Sequence, residues 1–158
     1  VQTPELEHKW CNIENKKGDI LNLNQKIYKR FYKFNDFQFI AIGTKKINMQ
    51  VENLVTQLQS GTNTEMTKWF FLLQDSKYSK NLFESLGTDL KLDKFHGSPY
   101  VFIIDKKGFL RGRNDSDGIK FGYDMRSVAE LNNYMVDDVK IILAEYRLAL
   151  KKNNILDN

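Results

Sequence analysis

Three short apolar runs constrain this chain most: Phe37-Gln38-Phe39-Ile40-Ala41-Ile42, Lys68-Trp69-Phe70-Phe71-Leu72-Leu73 and Tyr100-Val101-Phe102-Ile103-Ile104. Each is too short for a helix and too apolar for a strand with one wet face, so each reads as a strand within a covered sheet. The segments between them carry a helical period. From Asp19, Ile20, Leu23, Ile27, Phe31 and Phe34 fall on one face. Asn48 offers an N-cap for a second helix carrying Val51, Leu54, Val55 and Leu58, with Gly61 as its stop. Asp75-Ser76 opens a third, with Tyr78, Leu82, Phe83 and Leu86, stopped by Gly87.

After the third run, Asp105-Lys106-Lys107-Gly108 makes a hairpin turn, because glycine supplies the positive φ at its end. Phe109 to Arg113 returns as an antiparallel strand near an edge, and Asn114 to Asp124 reads as a polar loop. Ser127 and Glu130 have capping-box spacing ahead of the longest helix. Its stripe is Val128, Leu131, Met135, Val139, Ile142, Tyr146 and Ala149, and the tail after Lys152 is expected to fray. Helices alternating with buried strands predict one α/β domain over residues 1–158, with poorly defined ends at 1–18 and 153–158. The expected architecture is a central mixed sheet with helices on both faces, closed by a β-hairpin and a long helix. By analogy that is a thioredoxin-like fold, and the analogy fixes no function.

Aromatics at 13 % and apolar residues at 41 % exclude a disordered chain. No run approaches the length of a transmembrane helix. Val1 opens no secretory signal, so the chain reads as a mature piece cut from behind a signal or anchor. The net charge of +4 comes from dispersed lysines such as Lys16-Lys17, Lys45-Lys46 and Lys106-Lys107. With no arginine stripe and no aromatic–basic interleaving, it reads as a solvated surface and not a nucleic-acid face.

Few residues carry chemistry. Cys11 is the one cysteine, so no intramolecular disulfide forms and dithiol chemistry within one chain is excluded. It can be a metal ligand, a redox thiol or a passive side chain. His96 sits in a loop beside Gly97 and Pro99, as a ligand or a surface imidazole; His8 is the other histidine and completes a conceivable three-residue set. Asp115-Ser116-Asp117-Gly118 lacks the downstream glutamate of a calcium loop and reads as a solvated turn. No phosphate loop, HExxH or nucleophile elbow is present.

The stretch from His96 to Gly112 resembles the final hairpin of the Sco/SenC family, thioredoxin-fold copper chaperones of cytochrome c oxidase assembly. Trp69-Phe70-Phe71-Leu72 with Asp75, and the Asp19–Phe34 helix leading into Phe37–Ile42, resemble the family's preceding elements, so the likeness covers roughly residues 11 to 150. The family binds copper through a Cys-x-x-x-Cys motif and a distant histidine. The resemblance implies Cys11 in the first cysteine's place and His96 as the histidine, 85 residues on (96 − 11). A thiolate suits Cu(I), and an imidazole also serves Cu(II). Asn15 stands where the family has its second cysteine, and Gly43-Thr44-Lys45-Lys46 where it has an acidic pair. His96 is one residue further from the hairpin glycine than in the family, and Leu6-Glu7-His8-Lys9-Trp10 replaces an apolar strand. The family usually lacks Pro99, which stands where many thioredoxin-fold proteins place a cis-proline.

The resemblance thus implies a divergent, non-enzymatic envelope or periplasmic protein. It would be anchored to a membrane through a segment outside this chain, handle copper or support thiol redox, and act with a protein partner in oxidase assembly as a monomer or weak dimer. A binding module that kept the fold and lost the site is the first alternative. A one-cysteine thiol reductase or peroxidase, passing through a sulfenic acid at Cys11, is the second.

Overall fold

A computed structural model describes residues 16–113 and 121–156. The first helix, α1, covers residues 16–31 and contains a π turn at Asn24–Tyr28. Its buried positions Leu23, Ile27 and Phe31 recur at steps of four. A step of four overshoots the 3.6-residue α turn, and the wider π turn absorbs the excess. The same arithmetic governs the last helix, α4, residues 128–156, where Leu131, Met135, Val139 and Leu143 are buried at steps of four around a π turn at Leu131–Met135. The two π turns pack against each other in the core.

Between these helices lie β1 (Phe39–Thr44), α2 (Asn48–Thr62), β2 (Trp69–Gln74) and α3 (Ser76–Ser85). They are followed by β3 (Tyr100–Ile104), β4 (Leu110–Arg111) and β5 (Gly122–Asp124). β1 and β2 pair in parallel, from Phe39 opposite Trp69 to Thr44 opposite Gln74. In the second sheet β3 pairs antiparallel with both β4 and β5. Ile103 and Ile104 face Arg111 and Leu110, while Tyr100 to Phe102 face Asp124 to Gly122. The Phe121 N–H donates to the Arg113 carbonyl at 3.0 Å, closing the chain on either side of residues 114–120.

The odd-numbered residues of all three long strands face one core. Phe39 and Trp69 are buried there, with Ala41, Phe71, Val101 and Ile103 packed against the same cluster as α1, α2 and α4. Phe39 and Trp69 stack at 4.5 Å, with Tyr28 within 6 Å of both rings. Asn24 is the polar centre of this core. Its Nδ2 donates to the Leu58 carbonyl at 3.0 Å and to Thr62 Oγ1 at 3.3 Å, and its Oδ1 accepts from Trp69 Nε1 at 3.0 Å. The even-numbered face is covered in part by α3, whose Phe83 meets Phe102 edge to face. Ile40, Ile42, Phe70 and Ile104 on that side are exposed.

The α/β class and the order of the long elements agree with the sequence, and helices lie on both faces. The single central sheet does not appear. The described residues form two sheets, of two and three strands, because no described strand bridges β1 and β3. α1 is already helical at Lys16, ahead of Asp19, so Gly18 lies within a helix. α2 has Ile47 as its N-cap and ends at Thr62, with Asn63 at φ 51 taking the left-handed position expected of Gly61. β5 falls in the expected loop, since three residues with one apolar side chain make no periodic signal. α4 continues to Leu156 because no glycine or proline stops it after Lys152. Among the described residues no helix is long and apolar enough to cross a membrane.

Candidate metal-binding site

His96 is exposed and adopts φ 59, a conformation histidine tolerates better than most residues. Asp93 builds the loop that holds it there. The Asp93 Oδ1 accepts the N–H groups of Phe95 at 2.9 Å and Gly97 at 2.8 Å. The His96 N–H donates to the Asp93 carbonyl at 2.9 Å, and the Asp93 N–H donates to the Gly97 carbonyl at 2.9 Å. Beyond the loop, Ser98 Oγ accepts the Tyr100 N–H at 3.1 Å, and the Pro99 carbonyl accepts the Met125 N–H at 3.0 Å. No cis peptide bond occurs among the described residues, so Ser98–Pro99 is trans, contrary to the analogy with thioredoxin-fold prolines.

The leading turns of α1 lie against this loop. Lys16 Nζ is 3.8 Å from Asp93 Oδ2, and Asn22 Nδ2 donates to the Met125 carbonyl at 3.3 Å. Asp19 lies near Lys16, Arg126 and Asp124; burial raises its carboxyl pKa against the pull of the two cations. Arg126 grips Asp124 through Nε at 2.9 Å and Nη2 at 2.7 Å, which lowers the Asp124 pKa. α1, the His96 loop and the end of β5 therefore meet in one region.

Cys11 and Asn15 lie outside the described residues, as do His8 and Asp115 to Gly118. Cys11 precedes Lys16 by five positions, a reach of at most ~18 Å for extended chain. Lys16 meets the His96 loop through Asp93. Among the described residues no group of three or more His, Cys, Asp or Glu is gathered for a metal. Asp93 Oδ1 is occupied by two backbone N–H groups, while its Oδ2 faces Lys16 Nζ at 3.8 Å.

Sequence reasoning missed two polar assemblies. Asp138 is buried beneath β4 and β5, accepting from Arg113 Nε at 2.9 Å, Arg113 Nη2 at 2.7 Å and Tyr123 Oη at 2.7 Å. The signal was an acid set between Val136 and Val139 on a buried stripe. Asp93 was the other, legible as an aspartate followed at three and four positions by His96 and Gly97, the spacing of a side chain that ties its own loop. Compared with protein-family models, curated proteins and solved structures, the chain matches none of them.

Proposed function

We propose that this chain is a thioredoxin-like, Sco-type domain that handles copper as cargo through a reduced ligand pair, Cys11 and His96. The observation that supports the reading is the Lys16–Asp93 contact, which brings the start of α1, five positions after Cys11 in the sequence, to the loop carrying His96. A thiolate and an imidazole bind Cu(I) in a low-coordinate site and release it to a partner with more thiolates by ligand exchange. No covalent turnover is needed, so the reading is of a carrier and not an enzyme. Its setting would be the cell envelope, tethered by a segment outside this chain, with an oxidase-assembly protein as the recipient.

Anaerobic Cu(I) titration against a competing chelator tests this. One equivalent should bind, and Cys11→Ser and His96→Ala should each weaken it at least tenfold. Equal, weak binding by all three proteins overturns the reading.

A second reading, a binding module without a metal, is favoured by the exposed apolar strand face of Ile40, Ile42 and Phe70, in which Ile40 and Phe70 are neighbours across the β1–β2 pair. Isolated exposed apolar residues are ordinary, but a contiguous face marks a contact surface. Under that reading wild type binds no copper. It binds a fluorescent hydrophobic dye instead, and Ile40→Ser with Phe70→Ser removes most of the signal.

A further inference from the structure

The outer side of α1 and the neighbouring flank of α4 carry charge that the fold does not use. Between Ile20 and Phe34 the chain has four cations, Lys26, Lys29, Arg30 and Lys33, and no acid. Lys29, Arg30 and Lys33 are exposed, and none of the four is in an ion pair with a described residue. On α4, Lys140, Ala144, Arg147 and Lys151 are all exposed and fall on one strip at helical spacing. The acids beside that strip are engaged: Asp137 meets Lys140 at 3.1 Å, and Arg111 holds Glu145 through two hydrogen bonds of 3.0 Å. Arg147 and Lys151 have no acidic partner among the described residues.

Where the two helices meet lies a half-open groove of about 150 Å³, lined by Phe31, Phe34, Leu143 and Ala144 together with Lys140 and Arg147. That volume takes one ring-sized group. Its aromatic wall is set in place. The Phe34 N–H donates to the Phe31 carbonyl at 2.9 Å, its carbonyl accepts from Lys68 Nζ, and its ring packs against that of Phe31 at 6.1 Å. The Arg147 guanidinium lies over the Phe34 ring, 5.0 Å from its centroid. A guanidinium stacked in this way keeps its edge N–H groups for a carboxylate.

Shape and charge together select the occupant. A small carboxylate would engage one or two of these cations and leave the others unmet. Shallow anchoring in a bilayer calls for apolar side chains that protrude, and here the apolar surface is recessed. Arg147 already covers the Phe34 ring on which a nucleobase would stack. An acidic chain with one large apolar side chain meets every feature: the side chain fills the groove while carboxylates lie along both basic flanks. We propose that the α1–α4 groove binds an acidic peptide segment of a partner protein through one such apolar anchor, with Arg147 as the main carboxylate contact. This site does not depend on the copper reading.

Fluorescence anisotropy tests the proposal with the full chain and a labelled peptide holding one phenylalanine between two runs of three glutamates. Wild type should bind it, and the same peptide with alanine for phenylalanine should bind at least fivefold more weakly. Arg147→Glu and Ala144→Glu, both at exposed positions, should each weaken binding at least tenfold with unchanged far-UV circular dichroism. Lys152→Glu makes the same charge change about 140° round the helix from Arg147 and should weaken binding less than twofold. A peptide that does not bind, an alanine peptide that binds equally, or an Arg147→Glu effect no larger than that of Lys152→Glu overturns the proposal. Tighter binding of phosphatidylserine vesicles or of oligothymidylate, lost in Arg147→Glu, also overturns it by assigning the groove to a membrane or a single-stranded nucleic acid. So does dimerisation that Arg147→Glu abolishes, which would seat a second copy there.

Discussion

Asn24 shows how much one side chain can hold. It joins α1 to α2 through the Leu58 carbonyl and to β2 through the Trp69 indole, with almost no access to water. Asn24→Leu keeps the volume but leaves the buried Trp69 indole N–H without its partner, while the Leu58 carbonyl keeps Thr62 Oγ1 at 2.9 Å. The expected cost is about 1–3 kcal/mol, read as a lowered urea midpoint with an unchanged slope. Tyr28 and Tyr123 give the molecule an alkaline limit. Burial raises both phenol pKa values; for Tyr123 the nearby Asp138 carboxylate adds to the effect. In the unfolded chain these phenols ionise near ~10. The folded state keeps their protons to higher pH, so their contribution is complete below that value and is lost as pH rises. Thermal midpoints should fall between about pH 9 and 11. Tyr28→Phe should flatten that fall while lowering stability at neutral pH, since Tyr28 Oη donates to the Glu65 carbonyl at 2.7 Å. An alkaline limb as steep as that of wild type would count against this account.

At the scale of elements, glycines in the hairpin region separate two effects. Gly108 has φ 84 with open space around it, so Gly108→Ala should cost roughly 1–2 kcal/mol from backbone strain alone. Gly112 has φ 133, and a Cβ there would stand 2.7 Å from Tyr123 Oη. Gly112→Ala should therefore cost more than Gly108→Ala and also disturb the Tyr123–Asp138 contact, which a comparison of denaturation midpoints checks. Ser127 accepts the Glu130 N–H at 3.2 Å, and Ser127→Ala should cost about 1 kcal/mol. Half of the expected box is present: the Glu130 carboxylate accepts the Asp124 N–H instead of returning to Ser127. The long elements were legible because apolar residues run unbroken through them, as in Tyr100–Ile104, or recur at helical spacing, as from Ile20 to Phe31. Of the short ones, Leu110–Arg111 was legible through the turn at Asp105–Gly108 that returns it beside β3. Gly122–Asp124 was not: it exists because β3 offers it backbone partners, and three residues carry no period of their own.

For the whole molecule, the two sheets answer to one core. Phe39 and Trp69 of one sheet and Tyr123 of the other are buried in the same cluster with α1 and α4. Unfolding should therefore be a single transition. In a Trp10→Phe background, Trp69 fluorescence and far-UV circular dichroism should coincide along a urea curve, and separated midpoints would disprove it. The candidate site was legible only in part, for the same reason that the core was. His96 could be named from its loop, but its setting comes from Asp93 and from Lys16, a residue 77 positions earlier (93 − 16). Contacts of that range leave no local pattern.

The π turn at Asn24–Tyr28 has a consequence for how this chain tolerates change. It holds one residue more than an α turn, so it sets the rotational phase of everything ahead of it. Replacing the exposed Gln25 by Ala should be nearly neutral. Deleting Gln25 should be tolerated too: it takes out the extra residue, restores a plain α turn and leaves residues 16–24 nearly in phase with the core. Deleting the equally exposed Gln57, in the regular helix α2, has no such slack and turns Leu54 by about 100° out of the core. Of the two deletions, only the second should lower the urea midpoint strongly, and the chain is thus more forgiving of a lost residue at its π turn than elsewhere in its helices.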